Sequence, residues 1–180
     1  SQLLSAHASS PAQLSEVPYW KNILSTASNM SIRKPGAPHP TYHDMKQISV
    51  ELNEDDTKTL LGPLCSQYRA QINHILLLCF AAAFVDDGSF SFILEGHGRE
   101  DIIASADISR TVGWFTSIFP VTLAMDGPLD ANSISRLLKS VKEQLLAIPN
   151  KGVGYGILRD LASPSPLLTD STLIEKEAVS

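Results

Sequence analysis

Residues 95–100, Glu95-Gly96-His97-Gly98-Arg99-Glu100, place two carboxylates, an imidazole and a guanidinium within six positions. They follow the apolar stretch Ser89 to Leu94, so Glu95 falls at the end of an expected strand. Gly96 and Gly98 let a ligand approach the backbone closely. A carboxylate there, partly desolvated, is suited to abstract a proton. The plainer reading is a tight turn in which Glu95 pairs with Arg99. On the residues alone that reading is favoured, because structural ion pairs are commoner than catalytic carboxylates. A metal held by Glu95, His97 and Glu100 matches no common ligand spacing, and no metal is expected.

Two further segments could meet a ligand. Residues 110–120 run Arg110-Thr111-Val112-Gly113-Trp114-Phe115-Thr116-Ser117-Ile118-Phe119-Pro120. Aromatics around a glycine can line a pocket, or simply pack a core with Pro120 opening an edge strand. Residues 149–156, Pro149-Asn150-Lys151-Gly152-Val153-Gly154-Tyr155-Gly156, alternate glycine with larger side chains. This is not GxGxxG, no strand precedes it, and a dinucleotide site is not expected. The chain has no GxxxxGK[ST], GxSxG or HExxH.

The elements that must hold these segments are legible in outline. Pro11, with Ser10 as cap, opens a helix that Pro18 kinks or splits. Residues 28–42, with four prolines or glycines, are a loop. Residues 45–52 alternate apolar and polar and predict a half-buried strand. Asn53 caps a short acidic helix that Gly62-Pro63 interrupts. Residues 72–85 predict a buried helix, apolar nearly all round. Residues 89–94 and 121–125 predict strands. Ile134, Leu137, Leu138, Val141 and Leu145 form one apolar stripe of a helix capped by Asp130 or Asn132. Residues 157–161 predict a last helical piece. Residues 1–10 are expected to fray and residues 163–180 to be loose. The class is α/β, a two-layer mixed sheet with helices.

The 180 residues suit one domain, or one lobe of a larger one. With 43% hydrophobic and 18% charged residues, the chain can bury a core. A net charge of −5 gives no footprint for nucleic acid, and no basic run suits an anionic membrane surface. The apolar run from Ile75 to Val85 is too short to span a bilayer, and no signal peptide is seen. Cys65 and Cys79, the two cysteines, sit in apolar contexts and predict buried thiols in a soluble cytoplasmic protein. The missing initial Met suggests a segment of something longer.

Taken in order, EGHGRE, RTVGWFTSIFPV and PNKGVGYG resemble the epimerization domains of nonribosomal peptide synthetases, members of the condensation-domain superfamily. Tyr19-Trp20 and the helix from Gln71 to Leu78 resemble the stretches that precede them. The likeness implies one lobe, the C-terminal one, of a two-lobe chloramphenicol-acetyltransferase-like fold. It implies a lead-in at 1–16, the lobe at 17–162 and a tail at 163–180. It also implies inversion of the α-carbon of an aminoacyl or peptidyl thioester. That substrate rides on the phosphopantetheine arm of a peptidyl carrier domain, and no cofactor is bound directly. Glu95 matches the family's catalytic Glu. Gly96, His97, Gly98, Arg110, Trp114, Asn150 and Tyr155 are placed near the substrate and the pantetheine arm.

The family's HHxxxDG and FNYLG motifs are absent, and His74 stands where its helix motif usually has Asp. The chain is therefore expected to lack its N-terminal lobe and to be inactive without it. The exposed inter-lobe face would then invite association. The alternative is a non-catalytic remnant or a carrier-binding module. An acyl-condensing member is a third reading, against which EGHGRE and PNKGVGYG speak.

Overall fold

The computed structural model describes residues 2–27, 41–103 and 107–167. Nearly all of the proline-rich loop expected at 28–42, and the tail beyond 167, lie outside these residues.

The architecture is a helical layer on one face of a small antiparallel sheet. Strand β1 (Asp87–Gly96) pairs with β2 (Ser117–Asp126) in continuous register, from Asp87 opposite Asp126 to Gly96 opposite Ser117. Alternation along the strands sends Phe90, Phe119, Val121, Leu123 and Met125 into the core. On the other face Ser91 and Thr122 share a hydroxyl hydrogen bond of 2.9 Å. The free edge of β2 is closed by a side chain. The Ala124 N–H donates to Gln144 Oε1 at 2.8 Å, and Gln144 Nε2 donates to the Ala124 carbonyl at 3.0 Å. An amide thus satisfies backbone groups that a third strand would otherwise claim.

Helices α1 (Gln2–Ala8), α2 (Pro11–Leu14) and α3 (Val17–Thr26) open the chain. Ser10 Oγ accepts the Gln13 N–H at 3.2 Å, as the cap expected there, and Pro18 falls in the first turn of α3. Proline splits the segment in two because it fits a first turn and not an interior. The expected fraying of residues 1–10 gives way to α1, whose Ala8 is fully buried.

Asn53 caps α4 (Glu54–Thr59) through a 2.8 Å bond from the Asp56 N–H. The chain does not break at Gly62-Pro63. It widens into a π turn (Leu60–Leu64) and resumes as α5 (Cys65–Tyr68). Helix α6 (Ile72–Ala82) follows, and its Leu76 and Phe80 are exposed, with Phe84 just beyond it. The expected all-round burial therefore holds for one face only. Cys79 is on the exposed side and Cys65 is half-buried, against the expectation of two buried thiols.

Helix α7 (Ile134–Leu146) buries Leu137, Leu138 and Val141, the stripe read from its sequence. Asp130 acts one turn early, its Oδ1 accepting the Asn132 and Ser133 N–H groups at 2.8 Å each. A tight turn (Pro149–Gly152), α8 (Val153–Gly156) and a π turn (Ile157–Leu161) complete the helical layer. Leu167, inside the stretch expected to be loose, is 1% exposed and belongs to the core.

The strand expected at 45–52 does not form. Residues 45–53 are irregular, with Ile48 91% and Val50 90% exposed. Alternation makes a segment competent for a sheet, but the ladder needs a partner edge. These residues pair with neither β1 nor β2.

Candidate functional site

The three segments singled out in sequence meet at the open end of the β1–β2 ladder. Gly96 is the contact point. A Cβ built there would lie 3.0 Å from Ser117 Oγ, 3.4 Å from the Phe119 ring and 3.7 Å from the Lys151 carbonyl. A side chain there would be tight, and the Ser117 hydroxyl would have to shift by a few tenths of an ångström. Gly98 adopts φ +65°, and a side chain there would overlap the Phe115 backbone.

Polar contacts then stitch the loops together. His97 Nδ1 accepts the Arg99 N–H at 3.0 Å, which leaves the imidazole proton on Nε2, 3.2 Å from Glu100 Oε1. Glu100 Oε2 in turn receives Lys151 Nζ at 2.9 Å. Glu100 therefore ties EGHGRE to PNKGVGYG. Arg99 donates to the carbonyls of Ile108 and Thr111 at 3.0 Å each and lies 4.2 Å over the Phe115 ring. It is not the partner of Glu95, so the turn favoured on the residues alone is not the one built.

Glu95 is exposed on the sheet face that the helices leave open, opposite Ile118. Among the described residues its carboxylate has no hydrogen bond or ion pair. The desolvation expected of it is not supplied by these residues. His97 and Arg110 are also exposed, and Trp114 is 91% exposed. An open groove of about 380 Å³ takes in Arg99, Asp101 and residues 107–112, Arg110 included, but not Glu95. At its rim, hydrogen bonds from the Ser109 hydroxyl and backbone N–H hold the Asp107 carboxyl below its ordinary range.

Tyr155 turns inward, and Asn150, itself exposed, points its side-chain amide at a buried group. The Asn150 amide donates to the buried Glu16, and the Tyr155 ring packs 5.2 Å from that of Trp20 in the core. Reading the sequence singled out neither Lys151 nor Glu100 as links, although both stand inside the quoted segments. It missed Glu16 altogether. A Glu before Tyr19-Trp20 carries no pattern of its own, and its role depends on a residue 134 positions away. Among the described residues no cluster of three or more His, Cys, Asp or Glu could hold a metal, and no helix is long and apolar enough to cross a membrane.

The fold and the meeting of these loops define a class, and comparison with known proteins names it. The condensation-domain family model matches residues 2–177, and the chain belongs to that family. It is 35% identical over 173 residues to bacitracin synthase 2 of Bacillus licheniformis, covering 94% of this chain and 6% of that one. It is 39% identical over 172 residues to tyrocidine synthase 1 of Brevibacillus parabrevis, covering 91% and 15%. The crystal structure of the epimerization domain from the third module of tyrocidine synthetase B superposes with a TM-score of 0.74 at 34% identity. It covers 91% of this chain and 38% of that one. The fold is thus one lobe of a condensation/epimerization domain. The chain spans a small fraction of its curated relatives.

Proposed function

We propose that this chain is the Glu95-bearing lobe of a nonribosomal peptide synthetase epimerization domain. The substrate is an aminoacyl or peptidyl thioester on the phosphopantetheine arm of a peptidyl carrier domain. The observation that carries this reading is the meeting of EGHGRE, RTVGWFTSIFPV and PNKGVGYG at one end of the sheet, with Glu95 exposed and, among the described residues, unpaired. The proton beside a thioester carbonyl is weakly acidic. Its removal needs a positioned base and donors that stabilise the enolate. Glu95 is the base this lobe offers, and a second acid/base group on the opposing lobe returns a proton from the other side. Gly96 and Gly98 let Ser117, Phe119 and the Phe115 backbone pack against the loop that follows Glu95, rather than opening space themselves. The opposing lobe also closes the site, and this lobe by itself is inactive.

The test is α-deuterium wash-in from D₂O on a carrier-bound aminoacyl thioester, using the full domain. Glu95→Gln should abolish wash-in, while His97→Gln, whose contacts stay within its own loop, should cost less. The isolation of Glu95 among the described residues favours one second reading, a carrier-binding module without catalysis. Carrier binding with wash-in no greater than that of Glu95→Gln would establish that reading and remove the first.

A further inference from the structure

The loop 149–156 rests on a buried carboxylate with no part in the chemistry above. Glu16, 5% exposed, lies between α2 and α3. Its Oε2 accepts the Trp20 indole N–H at 2.9 Å, and its Oε1 accepts the Asn150 side-chain amide at 2.7 Å. Gln13 Nε2 adds a bond of 3.3 Å to the Gly154 carbonyl. A side chain at Gly154 would overlap the Glu16 carboxylate, so glycine is what lets the loop settle on it.

Two features make this more than a satisfied buried group. The first is chemical. Both partners donate an N–H to one side chain, and a carboxylate accepts both in charge-assisted bonds. Glutamine would keep Trp20 on its Oε1 but turn its NH₂ toward Asn150, whose amide must flip to answer it, and the charge assistance is lost. The second is conformational. Asn150 and Lys151 have φ of +43° and +51°, followed by Gly152 at +88°. Asparagine enters left-handed backbone readily, but a lysine holds it only where its surroundings impose it. Glu16 grips the first of the three. The second, Lys151, carries its ammonium to Glu100, which also holds His97.

We propose that Glu16 is a positioning residue for the site, acting through Asn150 and Lys151 on the EGHGRE loop. This deepens the epimerization reading and rests on it for its kinetic test alone. In the full domain, Glu16→Gln should lower kcat for α-deuterium wash-in by about tenfold to a hundredfold, the scale of a displacement of about 1 Å. KM for the carrier-bound substrate should change much less. Adding Asn150→Asp, which turns the facing donor into an acceptor, should restore most of the rate. Backbone hydrogen exchange read by mass spectrometry provides the arm independent of activity. Glu16→Gln should speed exchange at 149–156 and at 96–101 and leave 134–146 unchanged. Lys151→Met, at an exposed position that does not endanger folding, should speed exchange at 96–101 alone. Unchanged exchange at 96–101 in both variants, or no rescue by Asn150→Asp, overturns the proposal. If wild type shows no wash-in, the epimerization reading fails while the exchange arm still decides the role of Glu16.

Discussion

Leu123 and Ile118 stand five residues apart on β2, yet one is 1% exposed and the other 48%. The odd and even positions of the same ladder meet different surroundings. Helices α3, α6, α7 and α8 cover the face that carries Phe90, Phe119, Val121, Leu123 and Met125. The opposite face shows Ile93, Glu95 and Ile118, all exposed. One face stabilises the fold and the other presents the candidate base. The chemistry can therefore be altered without touching the core, provided the loops at the ladder's end stay in place.

The largest test of that division is on the covered face. Leu123→Ala should cost about 2–5 kcal/mol in urea unfolding, the usual range for a leucine removed from a packed core. A cost below about 1 kcal/mol would mean that the helices do not pack as described. Next comes the junction. Gly98→Ala forces a side chain into the Phe115 backbone at positive φ. It should destabilise by more than the roughly 1 kcal/mol that glycine's backbone freedom alone is worth. Binding of the carrier-borne substrate should fall as well.

A smaller effect comes from His74, at the start of α6. Burial, and then the charge of Lys142, hold its pKa below the ordinary value of 6.5. The folded state thus binds the proton less well than the unfolded state. Stability is complete above pH 6.5 and declines as pH falls from there toward the lowered folded pKa. Melting temperatures at pH 7.5 and 5.5 should differ in that direction, and His74→Gln should flatten the difference. The smallest effect belongs to the open face. Ile93→Thr and Glu95→Gln should each shift stability by no more than about 0.5 kcal/mol. A larger loss from either would show that something in the assembled protein packs on that face.

The pattern of success in reading the sequence follows the range of the forces involved. Ser10, Pro11, Pro18 and Asn53 act within a turn of their own positions, and each does what its chemistry predicts. The stripe from Ile134 to Leu145 faces the core because a helix converts spacing into a face. Residues 45–52 have the alternation of a strand but pair with no described strand. Helix α6 is apolar nearly all round, but burial depends on what arrives to cover it.

The site divides along the same line. The glycines of EGHGRE and PNKGVGYG are legible as places of close approach, since a missing side chain has few other uses at such density. What comes close, the Phe115 and Ser117 backbone to one loop and the Phe119 ring to the other, depends on strand register. Local order alone settled the helix caps, the stripes and the types of residue available for chemistry, because those terms act over a few positions. Folding in three dimensions chose which carboxylate is free and which are engaged. Glu95, Glu100 and Glu16 are the same side chain, and only long-range packing leaves one in solvent, pairs one with Lys151 and seals one beneath Asn150.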